Sequence, residues 1–206
     1  MKVLALELST AHGSIASLGE DRPPFFREWP NDRKNSGRFF ENFADIRKQF
    51  GAPETIIVGL GPGSYAGVRI AISAAIGLQT ASHACLIGFA SICAIECDTN
   101  EYCVIGDARR QSFFFARIRA NDLVEGPTLF SEAELKEKLD KLEEKMSIFA
   151  SEKLPQFERT VICYPSANVL ARLAQDSNRN FAIPPLEPIY LREPHIIVPK
   201  TAKVAP

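Results

Sequence analysis

From Tyr65 to Ser82 (YAGVRIAISAAIGLQTAS) the chain carries one charged side chain, Arg69. The stretch reads as a long helix, and a helix that is apolar all round has to be covered all round. It begins at a tight turn, GLGPGS, residues 59 to 64. A short buried strand, ETIIVG, leads into that turn, and Ala84 to Gly88 reads as another strand after the helix. Strand, turn, helix, strand is a βαβ unit. A chain of 206 residues, 46% of them hydrophobic, can bury such a unit within one large domain or within two small lobes sharing a cleft.

The turn admits three readings. A Walker A loop needs a lysine followed by serine or threonine after its glycines, to neutralise phosphate and hold magnesium, and this turn has no lysine. Gly61, Gly63 and Ala66 fit the looser dinucleotide pattern G-x-G-x-x-A, but no acid ends the next strand, ACLIG, where a ribose partner is expected. Backbone N–H groups at a helix start, with Ser64 beside them, would suit any anion. The helix itself offers two small-residue faces, one of Ala66, Ile70, Ser73 and Gly77, the other of Gly67, Ala71, Ala74 and Leu78. Small side chains let a second helix approach closely. Either the chain covers these faces itself or a second chain covers part of them.

Around this unit, Val3 to Leu8 reads as a strand with Ser14 to Leu18 as its hairpin partner. Residues 19 to 36, rich in charge and proline, read as a strand edge and then a loop. Phe39, Phe40, Phe43, Ile46 and Phe50 then fall at helical spacing, an aromatic stripe expected to pack into the core with part of it toward a partner. A polar break, CDTNEY at 97 to 102, marks a subdomain boundary. After it YCVIGDARRQSFFFARIRA reads as two strands around a turn at Gly106 to Gln111. Ser131 with Glu134 forms a capping box, followed by Leu135, Leu139, Leu142 and Met146 on one face of a charged helix. RTVICYP reads as a strand, SANVLARLAQDS as a helix, and PPLEPIYLREPH as an extended tail.

Several chemistries are thin or missing. Lys plus Arg (24) nearly balances Asp plus Glu (25), so no whole-molecule field gathers nucleic acid or an anionic membrane. The apolar run at the N-terminus is interrupted by Glu7 and is too short for a signal peptide or a span, so a cytoplasmic protein with no membrane partner is expected. Cys85, Cys93, Cys97, Cys103 and Cys163 form no C-x-x-C pair. Cys93 and Cys97, one helical turn apart, read as buried small hydrophobes. His12, His83 and His195 form no metal-binding pattern, and the nucleophile elbow G-x-S-x-G is unmet around Ser64. Asp107, Arg109 and Arg110 make the densest polar cluster, read as a solvated turn with an ion pair, though they could also grip an anion.

Four stretches in order carry a resemblance: LALELST, VGLGPGSYAGVRIAISAAIGL, IGDARRQSFFFARI and PIYLR. Together the chain resembles the TsaB (YeaZ) family over nearly its whole length. The resemblance implies an α/β chain with the actin-like, Hsp70-like ATPase (ASKHA) fold, two related lobes with mixed sheets flanked by helices. Here the lobes are residues 1–98, which would carry the partner or dimer interface, and 99–206, with the tail packing back on the first.

The resemblance also implies a non-catalytic scaffold in making N6-threonylcarbamoyladenosine at position 37 of tRNA. The TsaD catalytic subunit and the TsaE ATPase would be its partners, and it would self-associate when alone. ATP or ADP and the metal would sit on the partners, and tRNA would be met only through the complex. No catalytic or metal-binding residue is then expected. Residues that could touch a nucleotide are Glu7, Ser9, Thr10, Gly61, Gly63 and Ser64, and the partner seam is expected at Phe39, Phe43, Gly67, Ile70, Ala71, Ala74 and Leu78. The family's usual Asp-Thr-Ser-Thr is here Glu7-Leu8-Ser9-Thr10, its His-Ser-Glu is Asn35-Ser36-Gly37, and Tyr65-Ala66 stands where Phe-Thr is common. The competing reading is a small-molecule phosphotransferase on the same fold.

Overall fold

The structure, a computed structural model, describes residues 1–19, 22–31 and 36–192. Asn35 and His195, both singled out in the sequence, lie outside the described residues. Among the described residues ten strands form two five-stranded sheets. The first (lobe I) contains β1 (Val3–Glu7), β2 (His12–Gly19), β3 (Arg22–Pro30), β4 (Thr55–Gly59) and β5 (Cys85–Phe89), in the order β3-β2-β1-β4-β5. The second (lobe II) contains β6 (Glu101–Asp107), β7 (Ser112–Arg119), β8 (Asp122–Ser131), β9 (Ser147–Ala150) and β10 (Thr160–Ile162), in the order β10-β9-β6-β7-β8.

Reversed, the second order repeats the first. In each sheet three antiparallel strands are followed by two parallel ones. This is the duplicated α/β plan of the actin-like ATPase fold.

Helices fill the layers. On one face of sheet I lie α1 (Gly37–Phe50) and α2 (Tyr65–Ser82), sharing a core with Leu4, Leu6, Ile56 and Val58. On the outer face of sheet II lies α3 (Glu132–Asp140), held by Leu135 and Leu139. Between the sheets is α4 (Ala167–Leu173), which follows lobe II in sequence but packs on β1, β2 and β4. The central cluster joins Val3, Ala5 and Ile57 of sheet I to Tyr102, Val104 and Phe114 of sheet II through Leu170 of α4. The tail returns to sheet I, where Ala182 pairs with Gly88 and Ile189 N–H donates to the Leu60 carbonyl. Among the described residues no helix is long and apolar enough to cross a membrane.

Some sequence expectations change. β3 is nine residues long despite Pro23, Pro24 and Pro30, because it is an edge strand that can spare ladder donors. β8, with Pro127, is the corresponding edge of sheet II and left no readable alternation. The capping box at Ser131 and Glu134 forms as read, but α3 stops at Asp140. Leu142 and Met146 are therefore not on the helix; each closes a tight turn, donating to the Leu139 and Glu143 carbonyls. The Arg159 guanidinium donates to the carbonyls of Leu139, Glu143, Glu144 and Met146, which stabilises those turns against further helix. Cys93 and Cys97 do not share a helix turn, since only Ser91–Cys93 is helical there.

Candidate functional site

A cleft of about 380 Å3 lies between the lobes. One lip is the β1–β2 turn (Ser9, Thr10, Ala11) together with Pro62 to Tyr65 at the start of α2. The other is the β6–β7 turn (Asp107 to Arg109) with Ser151 and Glu152.

The first lip is closed upon itself. Glu7, the last residue of β1, is fully buried, and its Oε1 accepts from the Ser9 amide at 2.6 Å. Its Oε2 points into the hollow left by Gly59: a Cβ built there would fall 1.8 Å from that oxygen. Oε2 makes no hydrogen bond of regular geometry. Burial pushes the Glu7 carboxyl above the ordinary carboxylate range, against the pull of the Ser9 and Ser91 hydroxyls and the Ser9 amide. Glu7 does not line the cleft. Thr10 Oγ1 is tied to the backbone of His12, donating to its carbonyl and accepting from its amide. His12 stacks on Tyr164 with ring centroids 4.0 Å apart.

The glycines of the GPGSYAG turn have a packing reason. Ser64 N–H donates to the Ser9 carbonyl at 2.6 Å, so the start of α2 sits directly on the β1–β2 turn. A Cβ at Gly63 would fall 2.0 Å from the Ser9 carbonyl oxygen, and one at Gly67 would fall 2.0 Å from that of Leu8. Gly61 N–H donates to Ser91 Oγ, Gly67 N–H to Ser64 Oγ and Val68 N–H to the Ser64 carbonyl. The turn that resembled an anion cradle uses these four donors inside the chain.

The second lip is wetter. Asp107 ends β6 as Glu7 ends β1, but Asp107 is only half-buried and pairs with Arg109 at 3.1 Å. Its Oδ1 accepts from the Arg109 amide and its own N–H donates to Glu152 Oε1. Arg109, Arg110 and Gln111 run consecutively in the left-handed region (φ 66, 53 and 58). Ser91 and Glu152 were not foreseen: a lone serine after a strand and a lone glutamate in a loop carry no pattern. Among the described residues no group of three His, Cys, Asp or Glu is placed to hold a metal. His83 caps the C-terminal end of α2 in a left-handed conformation.

The expected partner seam divides. Phe39, Gly67, Ala71 and Leu78 are buried within this chain, against sheet I and the β1–β2 turn, so those four are core of the subunit. Phe43, Ile70 and Ala74 pack partly against the same core. α2 is thus covered on one side only, and outward it presents Tyr65 (51% exposed), Ala66, Arg69, Ser73, Ile76 (46%) and Gly77. Arg69 lies over the Tyr65 ring at 4.1 Å and donates to the Tyr190 hydroxyl, which draws the tail against this face. Phe40 of α1 is half exposed as well.

A protein of Pseudomonas aeruginosa described as similar to peptidase YEAZ superposes with a TM-score of 0.71 at 21% identity, covering 93% of this chain and 99% of its own. YeaZ of the same organism gives 0.71 at 18% identity, over 92% and 100%. No curated protein matches the chain. The model of the family TsaD, tRNA N6-adenosine threonylcarbamoyltransferase, matches residues 41–198. That match spans parts of both lobes, from α1 to beyond the tail's return, and the chain therefore belongs to the TsaD family and has the fold of the TsaB/YeaZ proteins.

Proposed function

We propose that the chain is a non-catalytic scaffold subunit for N6-threonylcarbamoyladenosine formation at position 37 of tRNA, pairing with a TsaD-type catalytic subunit in the cytoplasm. The outward face of α2 carries this reading: Tyr65, Ala66, Ser73, Ile76 and Gly77 stand exposed on a helix whose other side is core. A face of small and apolar residues whose one charge, Arg69, is drawn over the Tyr65 ring and onto the Tyr190 hydroxyl suits a second helix better than it suits water. The withdrawal of Glu7 into the Gly59 hollow, away from the cleft, supports the non-catalytic part. ATP or ADP and metal then belong to the catalytic partner and to a TsaE-type ATPase, and tRNA is met through the complex, since the near-neutral chain supplies few phosphate contacts.

Ile76→Arg should leave the fold intact by circular dichroism and abolish co-purification with the TsaD-type subunit of the same organism, or self-association when that subunit is absent. Unchanged association in both would overturn the interface. The inter-lobe cleft favours the second reading, a small-molecule phosphotransferase. That reading requires ATP turnover at ordinary enzyme rates, of order 1–1000 per second, lost on Glu7→Ala.

A further inference from the structure

Most cations of lobe II are used inside the chain. Arg117 and Arg119 pair with Glu101, Arg172 with Glu96 and Arg179 with Asp122. Lys136, Lys138, Lys141 and Lys145 each pair with a glutamate, and Arg159 binds backbone carbonyls. Among the described residues of the lobe, Arg110, Lys153 and Arg192 meet no acid. Arg192 lines the inter-lobe cleft. Arg110 and Lys153 line a second hollow of about 330 Å3 together with Arg109. Asp107, Arg109 and Glu152 belong to both, so the β6–β7 turn divides one from the other.

The turn also has donors to spare. Where the start of α2 uses its amides within the chain, no acceptor among the described residues meets the amides of Arg110 and Gln111. Their left-handed run with Arg109 is a strained backbone of the kind that collects where a loop serves a ligand. Arg109 is only partly used, through Nη1 on Asp107. Asp107 is offset by Arg109, and Glu152 Oε1 accepts from the Asp107 amide, which leaves the hollow net positive. Positive charge beside free amides calls for an anion. Arg109, Arg110 and Lys153 are all exposed, so a single small anion among them exchanges water for little. A polyanion gains more, because each phosphate neutralised releases counterions and one held by another subunit arrives at high local concentration.

We infer that this hollow is a phosphate site for the backbone of the tRNA, an assignment that rests on the proposed scaffold role, in which the catalytic subunit brings the tRNA. Arg110 and Lys153 each neutralise one phosphate, and the free amides of the turn donate to phosphate oxygens. The contact lies on lobe II, whereas the α2 face offered to the protein partner lies on lobe I, so the two contacts use separate lobes of the chain. Contacts of this kind set the position of an RNA without reading its sequence. Two neutralised phosphates accord with a chain whose net charge is only -1 and which holds tRNA poorly without its partner.

The test follows a fluorescently labelled tRNA by anisotropy over a series of salt concentrations, with the full chain alone at low ionic strength and with its complex with the TsaD-type subunit. Arg110→Gln and Lys153→Gln should each weaken tRNA binding roughly five- to tenfold at about 0.1 M salt and reduce the slope of log K against log salt by about 0.9. Glu152→Gln removes a negative charge while keeping an acceptor for the Asp107 amide, and should strengthen binding instead. Lys145→Gln, an equal loss of charge elsewhere on lobe II, should change neither affinity nor slope. Parent-like affinity and slope in both Arg110→Gln and Lys153→Gln would overturn the site, as would an equal loss from Lys145→Gln. Competition by micromolar inorganic triphosphate, lost on Arg110→Gln, would assign the hollow to a free phosphate chain and overturn the tRNA contact. If no complex with the TsaD-type subunit forms, the scaffold role fails while the chain alone still reports on Arg110 and Lys153. Absence of any tRNA binding by the chain alone and with that subunit overturns the site as well.

Discussion

Glu7 and Asp107 occupy the same place in two sheets of the same strand plan, each ending the central strand and opening a hairpin turn toward the cleft. One is sealed and the other is wet. In lobe I the crossover from β4 to β5 is the eighteen-residue α2, whose start rests on the β1–β2 turn through Gly63 and Gly67. In lobe II the crossover from β9 to β10 has no helix, and the β6–β7 turn is held instead by Glu152, an Asp107–Arg109 pair and a left-handed backbone run. A duplicated sheet does not fix the chemistry of its turns. What packs against the turn decides whether an acid there faces solvent or core.

The largest expected effect comes from forcing the two halves of the lobe I turn apart. Gly67→Ala puts a methyl carbon 2.0 Å from the Leu8 carbonyl oxygen, a backbone atom that cannot swing aside. Overpacking of this kind costs about 3 kcal/mol or more, enough to lower the urea midpoint severely or prevent folding. No lobe II side chain on the β6–β7 turn should have a comparable effect. A Gly67→Ala protein as stable as the parent would mean that the helix is not clamped to the turn.

Glu7→Gln tests the sealed acid. Burial raises its folded-state pKa above that of the unfolded chain, so folding is favoured while the group is protonated. Stability therefore falls as pH rises from the unfolded carboxylate value, roughly 4.3, to the raised folded value, and is flat above it. Glutamine cannot ionise, and its oxygen can still accept from the Ser9 amide. The variant should match the parent near pH 4 and exceed it at pH 8 in urea midpoint. A parent more stable than the variant at pH 8 would show that the carboxylate is wanted in the fold.

Lobe II offers the opposite manipulation. Arg110 holds φ at 53° in the middle of the left-handed run, a conformation that costs a residue with a Cβ roughly 1–2 kcal/mol. Arg110→Gly should recover about 1 kcal/mol of it, less the freedom glycine adds to the unfolded chain, and thermal melting reads the gain. A loss of stability would mean that the Arg110 side chain holds the turn.

How far the sequence could be read follows the same division. The βαβ unit of lobe I, the β1–β2 hairpin and the capping box at Ser131 were legible because each depends on local periodicity or local hydrogen bonding. β8 was not, since an edge strand with Pro127 and exposed Leu123 and Val124 shows no alternation. The end of α3 was not, because Arg159, nineteen positions beyond Asp140, ties the carbonyls that replace the helix. At the site, the sequence marked Gly63, Ser64 and Glu7 but not their use. Helical spacing also grouped Gly67, Ala71, Ala74 and Leu78 into a face without telling core from surface. The sheet beneath α2 supplied that answer, and it turned the open face by roughly 140°, more than a third of a turn, to Ser73, Ile76 and Gly77.

The smallest effect separates stability from association on that open face. A Cβ at Gly77 would meet nothing within 4 Å, in contrast to Gly67 on the same helix. In an exposed helix interior, alanine is favoured over glycine by about 0.5–1 kcal/mol, because it restricts the unfolded chain more and leaves less backbone to water. Gly77→Ala should therefore raise the melting midpoint of the isolated chain slightly. If a second helix closes on this face, the added methyl stands in the gap that the glycine leaves open, and association should weaken while the fold becomes more stable. The two readouts move in opposite directions only if the face is an intermolecular seam. A variant that gains stability and binds its partner as well as the parent would place the seam elsewhere, at Tyr65 and the tail rather than along the middle of α2.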